Sequence, residues 1–121
     1  MDELIGQLAV KAGLDEAVAE KTIGIILDFL RNEGPSEKVQ ALIEQIPGAE
    51  AAIIASHNSG GVARLMGGGL MAIGTKLMRL GLDMTQIQNV EREIFSFGRG
   101  KIGQEQIGAI IAGTPGLRHF G

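Results

Sequence analysis

The feature that most limits how this chain can fold is a match of the sequence to itself. Displaced by 68 positions, it superimposes Gly13-Leu14-Asp15 on Gly81-Leu82-Asp83 and Pro47-Gly48 on Pro115-Gly116 without a gap. The same register pairs Ile5 with Ile73, Gly6 with Gly74, Ile26 with Ile94, Phe29 with Phe97, Arg31 with Arg99, Glu37 with Glu105, Ala41 with Ala109 and Ile43 with Ile111. The identities total 13 over 52 aligned positions. Where identity fails, apolar character persists, as in Leu27 with Phe95, Val39 with Ile107 and Leu42 with Ile110. Self-similarity at a fixed period marks a repeated supersecondary unit that buries its apolar face against its neighbour. With 121 residues, the chain has room for two units of about 50 to 60 residues each.

The units read as helical. Leu4, Ile5, Leu8, Ala9 and Ala12 recur at helical spacing until Gly13 stops the segment, and Asp15 is placed to cap the next helix. From Val18 to Leu30 apolar residues cover about half a helical circumference, which predicts a central core helix with Glu20, Gly24, Asp28 and Arg31 outside it. Glu33-Gly34-Pro35 breaks that helix, Ser36 is placed to cap a third with Val39, Leu42, Ile43 and Ile46 inward, and a short Ala-rich helix is expected from Ala49 to Ala55. In the second half, Asp83 followed by Gln86 predicts a capping box, ahead of a narrower apolar face of Ile87, Val90, Ile94, Phe95 and Phe97. The expected fold is all-α: two tandem three-helix units packed into one compact helical domain. Residues 1–55 form the first unit, 56–61 a Gly/Ser loop, and 62–121 a Gly-rich helix with the second unit. The predicted contact between units joins the Val18 to Leu30 helix to its counterpart around Ile87 to Phe97. Whether Gly67-Gly68-Gly69 is a hinge or part of a helix beginning at Val62 stays open at this level.

Composition narrows the function. There is no Cys, so thiolate metal sites, disulfides and thiol nucleophiles are excluded, and two His leave little imidazole chemistry. His57 lies in Ser56-His57-Asn58-Ser59, which reads as a solvated loop, and His119 stands beside the C-terminus. Glu91 and Glu93 are two apart, about 200° around a helix, and read as solvated surface instead of a converging acid–base pair. Gly67, Gly69 and Ala72 fit a G-x-G-x-x-A pattern, but no strand pattern precedes them, so close packing or a joint is the expectation. No cofactor, metal or catalytic residue is assigned. The N-terminus is acidic and no apolar run approaches the roughly 20 residues of a membrane span, which together point to a cytoplasmic protein.

Two candidate surfaces emerge. Met66, Leu70, Ile73, Leu77 and Leu80 fall on one stripe with spacings alternating between four and three, a seam suited to packing another helix. Opposite it, Arg64, Lys76 and Arg79 form a small basic side that could meet an anionic membrane surface. Residues 1–61 carry ten acids and four bases (−6), and residues 62–121 carry four acids and seven bases (+3), which sum to the overall −3. Unlike halves can attract within one chain or between neighbouring copies and so permit head-to-tail contacts, and neither half has the dense basic stripe of a nucleic-acid binder.

Leu4 to Leu30, LIGQLAVKAGLDEAVAEKTIGIILDFL, resembles the opening helical hairpin of the histone-like HU/IHF DNA-binding family. Those proteins grip DNA with Arg- and Lys-rich β-arms, whereas this chain continues after Gly34 as acidic helix, so no DNA-contacting residue carries over. Across its length the chain looks more like the VcgC/VcgE-like small bacterial helical family of unknown function. Met1-Asp2-Glu3-Leu4-Ile5, the Gly-rich centre, Ile46-Pro47-Gly48-Ala49 and Gly81-Leu82-Asp83 carry that likeness. It implies a helical bacterial protein and brings no activity with it. The leading expectation is a non-catalytic interaction or self-assembling protein, a homodimer or head-to-tail homo-oligomer. The alternatives are a membrane-surface-associated amphipathic protein, a small HU-like DNA-associated protein, and a carrier with an apolar pocket between the units.

Overall fold

A computed structural model describes residues 2–59 and 70–114. Within them lie seven helices and no strand: α1 (Asp2–Lys11), α2 (Glu16–Glu33), α3 (Ser36–Glu44), α4 (Ala49–Ser59), α5 (Leu70–Arg79), α6 (Met84–Ile102) and α7 (Gln104–Gly113). The all-α expectation holds, and the helices share one apolar core that draws on every one of them.

Helix boundaries follow the local chemistry. Gly13 and Gly81, which correspond in the 68-residue register, both adopt positive φ (69° and 101°) just after α1 and α5, a conformation that side chains with a Cβ resist. The predicted capping box of α6 is present in full: Gln86 N–H donates to Asp83 Oδ1 at 2.8 Å, and Asp83 N–H donates to Gln86 Oε1 at 3.0 Å. Asp15 stands at the N-cap of α2, but its side chain makes no capping bond. Ser36 is not the cap of α3. It is the first helical residue, and Pro35 takes the N-cap, with its carbonyl accepting from Lys38 and Val39 N–H. α4 also runs to Ser59, four residues beyond the predicted end at Ala55, so residues 56–59 of the expected loop are helical. Ser, His and Asn are only modestly poorer helix formers than Ala, and a helix already started extends through them at small expense.

α2 lies at the centre. Every residue from Thr22 to Leu27 is buried, so along its middle this helix is enclosed on all sides, with α1, α3, α4 and α5 packed around it. Gly24, expected on the outer face, is buried where two helices approach closely: a Cβ built there would run into the Ala52 carbonyl of α4. α2 and α4 thus meet backbone to backbone, which only a residue without a side chain permits. Arg31 of α2 also bridges both carboxylate oxygens of Glu50 on α4, at 3.2 and 3.3 Å, and Gln40 of α3 donates to the same group.

The contact between halves differs from the expected one. α2 and α6, the two long helices, are not a principal packing pair. α1 packs on both α2 and α6, while α5 packs on α2 in preference to its sequence neighbour α6. α3 reaches across to α6 and α7. The reason lies in α2, whose circumference is already occupied by α4 and three shorter helices. α6 closes instead against α1, α3 and α7. Its closest approach is at Gly98, where a Cβ would fall 2.6 Å from Ile107 Cδ1 and 3.1 Å from Leu42 Cδ1.

Candidate interaction surface and a buried carboxylate

Two features stand apart from this well-packed helical body. The first is a set of exposed apolar side chains. Large apolar side chains are mostly buried, yet Val10 is 80% exposed, Met78 50% and Met84 57%. Val10 is in the last turn of α1, and Met78 and Met84 flank the α5–α6 turn at Gly81. The Gln86 side chain holds the two places together, because its Nε2 donates to the Ala12 carbonyl across 3.0 Å while its backbone completes the α6 cap. That bond and the turn at Gly81 bring together the chain segments that carry Val10, Met78 and Met84, with Leu80, half-buried, between the two methionines in sequence. Val10 and Met78 also correspond in the 68-residue register. A fourth exposed apolar residue, Ile54 at 60%, lies apart on α4.

The stripe singled out in the sequence does pack another helix, but that helix belongs to the same chain. Ile73 and Leu77 are buried in the core on the helix that packs against α2, and Leu80 is half-buried against that core. Ile73 and Leu77 are thus spent within the fold, while Leu80 keeps part of its surface exposed. The described part of α5 includes Leu70 only as backbone, and Met66 and Arg64 lie outside the described residues, as do Gly67 to Gly69. Of the basic candidates, Lys76 is half-buried and Arg79 exposed, on either side of Met78.

The second feature is Glu91. Read from spacing as solvated surface, it is 3% exposed and sits mid-helix on the inward line of α6 formed by Ile87, Glu91, Ile94 and Gly98. Spacing alone reads Glu91 and Glu93 alike. A 200° separation does place them on different faces, but it leaves one of the two facing the core, and Glu93 is only half-buried. Glu91 Oε2 has no hydrogen-bond partner among the described residues. The other buried polar side chains are satisfied locally: Thr22 Oγ1 donates to the Val18 carbonyl at 2.8 Å, and Thr114 Oγ1 to that of Ile110 at 2.6 Å. Burial pushes the Glu91 carboxyl up from 4.5 to about 7, because desolvation penalises the charged form. The 68-residue register would have hinted at this burial, since it places Glu91 opposite Ile23, a core residue of α2.

Among the described residues, no three His, Asp or Glu side chains converge on a point that could hold a metal ion. No described helix is long and apolar enough to cross a membrane. Comparison with family models, curated proteins and solved structures found no match to this chain.

Proposed function

We propose that this is a non-catalytic, self-associating protein whose copies meet through the exposed side chains of Val10, Met78 and Met84. The observation that carries this reading is the exposure of those side chains on segments that the Gln86–Ala12 bond and the Gly81 turn bring together, in a fold whose other described large apolar residues, Ile54 apart, are buried or half-buried. Clustered exposed apolar surface marks contact sites, whereas single exposed residues need no explanation. The −6 and +3 halves add a polarity that would orient one copy on the next. A two-fold contact gives a closed dimer, and a head-to-tail contact gives a ring or filament.

Light-scattering mass after size exclusion, at 50 mM and 500 mM salt, tests the reading. A mass of at least twice 12.7 kDa is expected at both, since an apolar contact outlasts screening of the charges. The variants Val10→Glu and Met84→Glu should return it to the monomer without loss of fold, because both positions are exposed. A monomer at every concentration would remove the proposal. A second reading rests on Met78, exposed between Lys76 and Arg79 on α5: contact with an anionic membrane surface. Flotation with vesicles containing anionic lipid distinguishes it, and protein left wholly at the bottom of the gradient at low salt rules it out.

A further inference from the structure

Glu91 is placed where a charge is least tolerable, on the face by which α6 is held to the rest of the molecule. Its neighbours along that face, Ile87, Val90, Ile94 and Phe95, are apolar and buried, and Gly98 two turns on is the tight contact with Ile107 and Leu42. We propose that Glu91 is a proton-operated latch: neutral, it lets α6 stay packed against α1, α3 and α7, and ionised, it loosens α6 from them.

No charge on those helices relieves it. The described charges on α1 are Glu3 and Lys11, on α3 Glu37, Lys38 and Glu44, and on α7 Glu105. All are exposed except Lys38, which is half-buried and donates to Gln106 Oε1 at 3.0 Å. On α6 itself Arg92, Arg99 and Lys101 are exposed and Glu93 is half-buried, while Lys101 lies 5.2 Å from the Phe97 ring centre. Lys76 is on α5, which packs on α2. A carboxylate formed at Glu91 therefore has two outlets: to stay charged in an apolar core, or to draw α6 outward until water reaches it.

The sign of the pH effect follows. The carboxyl titrates near 7 in the folded protein against 4.5 ordinarily, so the folded state holds the proton more tightly. The stability contributed by the neutral group is complete below 4.5, falls as pH rises towards 7, and is gone above it. The decline corresponds to a fall in the folding constant on the order of 100-fold.

Denaturant unfolding from pH 4.5 to 8, with hydrogen exchange at pH 5.5 and 8, tests the latch on the full chain, comparing wild type with Glu91→Gln and Glu91→Leu. The expected result is a decline with pH in wild type that both variants lack, with the α6 amides from Val90 to Phe97 losing protection at pH 8 before those of α2. Gln keeps the shape without the titration, so the comparison survives if Leu packs poorly. The same decline in Glu91→Gln would overturn the proposal. So would loss of protection shared equally by α2 and α6, which would make Glu91 a plain drain on stability and no latch.

Discussion

α2 and α6 are the two long described helices of this protein, and the 68-residue register aligns one with the other. They solve burial in opposite ways. α2 gives up a side chain at Gly24 so that α4 can lie directly on its backbone, and it is enclosed all round from Thr22 to Leu27. α6 has Arg92 at the matching place, exposed, with Gln88, Ser96 and Arg99 exposed along the same side. A face closed by a helix in one half is thus a polar surface in the other. The inward faces differ too: Ile23 of α2 becomes Glu91 of α6. The lesson is that a shared hydrophobic pattern sets which helices form, whereas single positions such as 24 and 92, or 23 and 91, decide how each helix is covered.

The largest test of this contrast writes the feature of one helix into the other. Ile23→Glu should cost about 4 kcal/mol or more at pH 8, through lost apolar packing and a carboxylate with no partner, and less at pH 4.5, where the group is neutral. Denaturant titration at both pH values measures it, and an equal loss at each would mean that the α2 core tolerates charge. Next in size is Gly24→Ala, expected to lose about 2 to 3 kcal/mol because the obstructing atoms belong to the Ala52 backbone and cannot swing aside. Arg92→Ala should stay within about 0.5 kcal/mol, as an exposed helical site does. Similar losses at 24 and 92 would contradict the difference in covering. The smallest effect separates the two caps. Asp83→Ala should lower stability by about 1 kcal/mol, since it breaks a formed capping box, whereas Asp15→Ala, with no side-chain bond to lose, should cost a few tenths. Thermal melts resolve the pair, and a reversed order would show that the cap of α2 forms in solution after all.

Much of the fold was legible in the sequence because helices are written locally. The periodic apolar residues, the glycine stop at Gly13 and the Asp83 to Gln86 box each act within a few positions, and each is found where its spacing places it. What escaped was set by tertiary neighbours. Gly24 looks like an outer-face residue until α4 arrives on it, and α5 looks free until it packs on α2. The candidate surface suffered most from this. A seam of Ile73 and Leu77 carries the same pattern whether its partner is another chain or the same one, so periodicity could not tell self-packing from recognition. The exposed Val10, Met78 and Met84 carry no periodic signal as a set, since they come from three helices whose ends are joined through Gln86 and a turn.

The sharing of α1 between α2 and α6 also has a consequence in time. Lys11, at the end of α1, and Met84, at the start of α6, are separated by 73 positions (84 − 11). A ribosome adding about 5 to 20 residues per second takes roughly 4 to 15 s to cover that distance. Through that interval the nascent chain carries a first helix with only part of its partner made. Leu4, Leu8 and Ala12, all buried in the finished protein, wait for the second half before they are fully covered. α1 is thus synthesised with an unfinished surface, which α6 completes.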